Sequence, residues 1–256
     1  MNYQIKTYLQ FLLSATNQHG VHSPFVYDFV TKCLYDRKDF PAYAKLKIYR
    51  NNLLTDQNTI EITDFGAGSR IFKNNNRKVS ALAKTAGASL KRMRLLYRVL
   101  NYFQPKHTLE LGTSLGLATA AFGLANNGKT TSVEGCPEIA RIAEKKLKML
   151  KIDQLYLKTA RFTPFIESNT DKSFDLIYFD GNHSKEATLS YFEKLLPTAQ
   201  NDSVWIFDDI YWSPEMTAAW EQIKNYPDVR VSIDCFWLGF VFFRKEQEKE
   251  HFKIRL

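Results

Sequence analysis

Thr108-Leu-Glu-Leu-Gly-Thr-Ser-Leu-Gly116 holds the decision about the fold. Its first residues read as a short buried strand. Gly112 then breaks the strand into a turn, and the residues after Gly116 open a helix. A second apolar run, Thr130-Thr-Ser-Val-Glu134, ends in an acid 22 residues beyond Gly112. A strand, a glycine turn, a helix and a second strand ending in an acid make a nucleoside-binding βαβ unit. The acid is placed to hold two ribose hydroxyls, and the glycines let backbone approach a ligand where a side chain would collide.

The turn differs from that of a dinucleotide enzyme. Ser114 stands where the G-x-G-x-x-G pattern has its second glycine, the one that lets a pyrophosphate lie against the backbone. The strand also ends in acidic Glu110, which repels phosphate and attracts a cation. S-Adenosylmethionine has a ribose, an ammonium and a sulfonium and carries no phosphate, so it fits both features.

From about Leu95 to Lys245 the sequence resembles a class I S-adenosylmethionine-dependent methyltransferase. Glu110 to Gly116 match the first motif of that family and Glu134 its second. The form E-L-G-T-S-x-G is similar to the variant seen in O-methyltransferases. The resemblance implies cofactor contacts at Glu110, Gly112, Thr113, Ser114, Gly116, Glu134 and Gly135. It places Asp180 near the cofactor as well.

Composition bounds the remainder. A chain of 256 residues with 45% hydrophobic content holds one large α/β domain plus an extension, or two small domains. No apolar run approaches the ~20 residues of a membrane helix, and the first residues lack the order of a signal peptide. Cys33, Cys136 and Cys235 are odd in number and scattered, which predicts thiols in a reducing cytoplasm. The net charge is +8, and residues 71–108 hold nine Lys or Arg and no acid. Such a surface suits RNA, an anionic lipid face or a phosphorylated small molecule. No RNA-binding motif accompanies it, which favours a solvated helix face.

Residues 1 to about 50 read as helical and rich in aromatics, with Ser23-Pro24 as a helix start. His19 and His22 have ligand-like spacing without a third ligand, so packing in a turn is the expectation. Ile60-Glu-Ile-Thr-Asp-Phe-Gly-Ala-Gly68 imitates the first motif, but a poor helix start follows it. It reads as a short hairpin or loop, possible as a wall that gives Arg70 a role. Lys78 to Phe103 has helical periodicity, with a break expected at Gly87 and an end at Pro105. Strands and helices then alternate to Tyr226, and two strands close the chain.

This alternation predicts a doubly wound, mainly parallel Rossmann-like α/β sheet. The family resemblance implies that its last two strands form an antiparallel hairpin. The expected organisation is an N-terminal helical extension over 1–77, acting as a lid or substrate wall, then the cofactor-binding domain over 78–245. A charged tail, helical or frayed, would occupy 246–256.

Ligands of such sheets sit beyond the carboxyl ends of the strands. One strand ends in Asp180-Gly-Asn-His183 and another in Asp208-Asp209. Three converging carboxylates repel unless a cation offsets them, and hard oxygen ligands suit Mg²⁺, Mn²⁺ or Ca²⁺. Such an ion would lower the pKa of a substrate hydroxyl and orient it towards the methyl group. The pattern resembles metal-dependent O-methyltransferases, and that resemblance makes Asp180, Asp208 and Asp209 the metal ligands. Asn182 departs from the pattern where some members have an acid. His183 then becomes the candidate catalytic base beside Asp180. Tyr211 and Trp212 are candidates to stack on a planar substrate, or to pack in the core.

The leading expectation is methyl transfer from S-adenosylmethionine to oxygen of a small-molecule acceptor in the cytoplasm. The alternatives are an RNA or protein methyltransferase using the basic segment, and a non-catalytic S-adenosylmethionine-binding module. A helical extension often packs against a second subunit, so a homodimer is an open alternative.

Overall fold

A computed structural model describes residues 3–63, 75–85, 87–125 and 128–256. Helix α1 (Tyr3–Ser14) is followed by α2 (Pro24–Phe29), which Ser23 caps by accepting the Val26 N–H, with Pro24 in the first turn. Next come α3 (Ala42–Leu54) and a hairpin of β1 (Thr59–Glu61) with β2 (Asn76–Lys78). The expected hairpin around Ile60 is therefore present at its ends. Asp64 to Gly68, and Arg70, lie outside the described residues.

The periodic stretch before the glycine turn is two helices, α4 (Val79–Thr85) and α5 (Leu90–Phe103). Ser89 caps α5 through the Arg92 N–H. Gln104 ends it in a left-handed conformation just before Pro105. The break thus falls where Gly87 and a serine cap oppose continuation.

Strand β3 (His107–Leu111), α6 (Leu117–Ala125) and β4 (Lys129–Glu134) follow as the expected βαβ unit. Then come α7 (Pro137–Leu147), β5 (Leu155–Thr159), α8 (Phe162–Glu167) and β6 (Leu176–Phe179). The chain continues through α9 (Lys185–Leu195), β7 (Val204–Asp208) and α10 (Pro214–Asn225). It closes with β8 (Val231–Asp234), β9 (Leu238–Phe242) and β10 (Glu250–Lys253).

These elements fall into two compact units. Asp36–Pro164 forms one. Its strands β3, β4 and β5 are parallel, in that order, with His107 opposite Lys129 and Thr130 opposite Leu155. Helix α5 packs on α6, and α3 on α4, α5 and α6. The small residues Ala118, Ala120 and Ala121 of α6 are all buried, so close approach replaces bulk in this core.

Met1–Tyr35 with Phe165–Leu256 forms the other unit. Its strand order is β10-β8-β9-β7-β6. Strands β6 and β7 are parallel, β9 runs antiparallel to both β7 and β8, and β10 runs parallel to β8. The expected closing hairpin is β8–β9. The core here is aromatic: Trp205 packs edge-on against Phe192 and Phe243, and Phe29 of α2 meets Phe240 and Phe242 of β9.

The fold class is the expected one, a mainly parallel Rossmann-like α/β arrangement with helices on both sides. One expectation fails at the C-terminus. The segment read as a helical or frayed tail contains β10, and Ile254 beyond it is fully buried. Charged residues are usual on a short edge strand, so Glu250-His-Phe-Lys253 looks like a solvated tail in sequence. Among the described residues no helix is long and apolar enough to cross a membrane. The three cysteines are buried and form no disulfide.

Candidate functional site

The glycine turn joins β3 to α6 within the Asp36–Pro164 unit. Gly112 has φ 112°, Ser114 φ 48° and Gly116 φ 75°. The left-handed region is easy for glycine and mildly strained for Ser114. Several bonds hold the turn in this shape. The N–H groups of Gly112 and Thr113 donate to the Val133 carbonyl at 2.9 and 3.2 Å, and the Gly116 N–H donates to the Thr113 carbonyl at 2.8 Å.

Glu134, half-buried at the end of β4, is the turn's second support. Its Oε2 accepts the Ser114 N–H at 2.8 Å, and its Oε1 accepts the Cys136 N–H at 2.9 Å. The carboxylate thus bridges the first turn and the loop after β4. Gly135, beside it, is also only half-buried. Charge-assisted bonds to backbone N–H groups fix the direction of a carboxylate, and Glu134 is fixed where the two βα loops meet.

A buried polar chain lies beneath the turn. Glu110 is fully buried, and its Oε2 accepts hydroxyl protons from Thr119 at 2.6 Å and Ser132 at 2.5 Å. Ser132 also bonds Thr113, which is itself buried. Among the described residues Glu110 Oε1 has no hydrogen-bond partner. Burial pushes the Glu110 carboxyl up to about 8. The two hydroxyls oppose the shift, and the Glu134 charge adds to it. Thr119 and Ser132 carry no motif that marks them in the sequence. The signal was the register: Ser132 sits directly across from Glu110 on β4, the one hydroxyl-bearing neighbour that a parallel alignment of the two strands would have revealed.

Asp180, His183, Asp208 and Asp209 belong to the other unit. Asp180 follows β6, and its Oδ1 lies 3.6 Å from His183 Nε2, with both side chains about one quarter exposed. Asn182 between them is left-handed at φ 51°, and its Nδ2 donates to the Tyr191 hydroxyl at 3.2 Å. Asparagine tolerates that conformation better than most residues. The Trp212 ring lies 6.4 Å from that of His183.

The expected trio of metal ligands does not assemble. Among the described residues, no group of three or more His, Cys, Asp or Glu side chains is gathered closely enough to hold a metal ion. Asp180, Asp208 and Asp209 are all described. Neighbouring strand ends bring backbones close, but the pleat and the following turn decide where side chains go. Asp208 is buried as the last residue of β7, whereas Asp209 turns left-handed at φ 52° and its N–H donates to the Trp237 carbonyl. As placed, Asp180, Asp208 and Asp209 are not gathered into a three-carboxylate group.

Tyr211 is a core residue. It is buried, stacks on Phe236 with ring centroids 4.8 Å apart, and donates its hydroxyl to buried Asp234 at 2.6 Å. In the basic segment, the Arg94 guanidinium lies over the Tyr43 ring at 4.8 Å, and Arg98 donates to the Tyr43 hydroxyl at 3.4 Å. Those two cations take part in packing on α3.

Comparison with known proteins agrees with this arrangement. Residues 109–210 match a family model described as a methyltransferase domain. No curated protein sequence matches the chain. Among solved structures, the Podospora anserina methyltransferase PaMTH1, bound to S-adenosylhomocysteine, superposes with a TM-score of 0.60 at 11% identity. That match covers 87% of this chain and 97% of the other. The Streptomyces achromogenes O-methyltransferase TomG, involved in tomaymycin synthesis and complexed with S-adenosylmethionine, gives 0.57 at 15% identity over 89% and 99%. The Bacillus cereus O-methyltransferase in complex with S-adenosylhomocysteine gives 0.55 at 15% over 85% and 97%. At these identities the likeness is one of fold. The family match thus spans the glycine turn and the strands that follow it, residues 109–210, on a fold shared with methyltransferases that bind S-adenosylmethionine or S-adenosylhomocysteine.

Proposed function

We propose that the chain methylates a hydroxyl oxygen of a small molecule, with His183 as the base and Asp180 as its orienting partner. The observation that carries this reading is the His183–Asp180 pair at the carboxyl end of β6, where ligands of doubly wound sheets bind. The solved structures of similar fold include O-methyltransferases, which favours oxygen as the acceptor atom.

Each residue then has a task. Glu134 holds the ribose hydroxyls, since its carboxylate is already aimed by two backbone N–H groups. Gly112, Ser114 and Gly116 shape the methionine pocket, and Gly135 leaves room beside the ribose. Glu110 and Thr113 act from below, holding the turn through the buried hydroxyl chain. S-Adenosylmethionine supplies a sulfonium methyl group, whose C–S bond breaks as the acceptor C–O bond forms, leaving S-adenosylhomocysteine. His183 takes the hydroxyl proton. Its Nε2 is turned to Asp180, so Nδ1 is the accepting nitrogen. Asp180 steadies the imidazolium that results.

The test combines calorimetry with transfer of labelled methyl groups into a pool of hydroxylated metabolites. His183→Ala should bind S-adenosylhomocysteine like wild type and lose about 10²- to 10⁴-fold in transfer rate. Full transfer by His183→Ala, or label appearing only on nitrogen or carbon, would overturn the assignment.

A further inference from the structure

The glycine turn is held from one more direction, by a residue distant in sequence. Tyr49 of α3 donates its hydroxyl to the Leu115 carbonyl at 2.8 Å. Leu115 lies inside the turn, between left-handed Ser114 and left-handed Gly116. The same hydroxyl bounds the space beside Gly116. A methyl group built there would come within 2.9 Å of Tyr49 Oη and 2.8 Å of Leu147 Cδ1.

Tyr49 is suited to be a permanent donor. It is 4% exposed. Burial pushes its phenol well above the usual tyrosine range, and the Glu110 charge adds to that shift. The hydroxyl therefore keeps its proton at any working pH. Loss of the bond would strand a carbonyl beneath a turn that contains one strained non-glycine residue. Among the described residues the turn is otherwise bonded by β4, by the start of α6 and by itself, whereas Tyr49 comes from a helix before β3.

We propose that Tyr49 is a positioning residue, whose bond to Leu115 and contact beside Gly116 hold the cofactor turn in its binding shape. This rests on the cofactor reading of the turn and extends it to α3. Helix α3 then sets the affinity for the methyl donor without touching the donor itself. Tyr49 preorganises the turn, so that the ordering cost is met before the ligand arrives.

The test is Tyr49→Phe, which removes one oxygen and keeps the ring. Three readouts are needed: the Kd for S-adenosylhomocysteine, the unliganded Tm, and amide exchange at Ser114, Leu115 and Gly116. The expected result is a Kd raised about 5- to 30-fold, with faster exchange confined to the turn. Leu53→Ala, buried one helical turn further along α3, serves as the control. It should lower Tm more than Tyr49→Phe does and leave Kd unchanged, separating positioning from general stability. Wild-type binding with an unchanged Tyr49→Phe Kd overturns the inference alone. Equal loss of affinity in Leu53→Ala does so as well. Failure of the wild-type chain to bind S-adenosylhomocysteine overturns the cofactor reading, and this inference with it.

Discussion

Two glutamates twenty-four residues apart in a single unit do opposite things because their surroundings differ. Glu134 is half-buried and ends its strand with both oxygens on backbone N–H groups. Replacing it with alanine should weaken S-adenosylhomocysteine binding by roughly 1.5–3 kcal/mol, or about 10- to 150-fold, measured by calorimetry. Unchanged affinity would remove it from the ribose site. Glu110 is enclosed, with one oxygen lacking a partner among the described residues, and its carboxyl titrates at about 8 instead of the ordinary 4.5. The folded state therefore keeps a proton that the unfolded chain gives up near 4.5. Stability from this group is complete below that pH and declines as pH rises towards and through about 8, by on the order of a few kcal/mol. Glu110→Gln mimics the protonated acid, so its Tm should fall less than that of wild type between pH 6 and 9. Parallel Tm curves would show that Glu110 is not the titrating group. The motif letters revealed that both acids belong near the turn. They did not distinguish the half-buried acid from the enclosed one, because that depends on Ser132 and Thr119 arriving from other elements.

Elements with strong local punctuation were readable. Ser23-Pro24 opens α2, Ser89 caps α5 and Ser213-Pro214 starts α10, each serine oxygen accepting a backbone N–H three residues on. Short elements without such signals were not. Helix α8 spans only six residues and has Pro164 inside it, and β10 is a charged edge strand. Packing between elements also sets limits that no local pattern announces. Gly239 in β9 faces Trp220 of α10, and a Cβ there would lie 2.6 Å from the indole Cζ3. Trp220 is 1% exposed and has little room to retreat. Gly239→Ala should cost about 1–3 kcal/mol by denaturant unfolding. A neutral result would mean that the helix shifts freely over β9.

At the scale of the whole chain, the C-terminal segment is structural. Strand β10 pairs with β8, Thr16 bridges to Ile254, and the Tyr35 hydroxyl donates to the Arg255 carbonyl at 2.7 Å. The last residues thus tie the first thirty-five into their own compact unit. A chain stopped after Lys249 loses this strand and the fully buried Ile254. It should unfold about 2–4 kcal/mol more easily in denaturant. A frayed tail would be removed at a cost within about 0.5 kcal/mol, so the two descriptions separate cleanly.

The sequence by itself determined the βαβ unit around Gly112, the alternation that makes the sheet mainly parallel, and the acids that end its strands. Those features are local: a glycine turn, a hydrophobic period and a capping residue act within one or two turns of chain. Tertiary structure alone decided which side chains meet. It enclosed Glu110 with Thr119 and Ser132, brought Tyr49 to Leu115, and put Tyr211 in the core. The physical reason is that side-chain direction at a strand end follows from pleat, register and the turn beyond it, and these are settled only when distant segments pack.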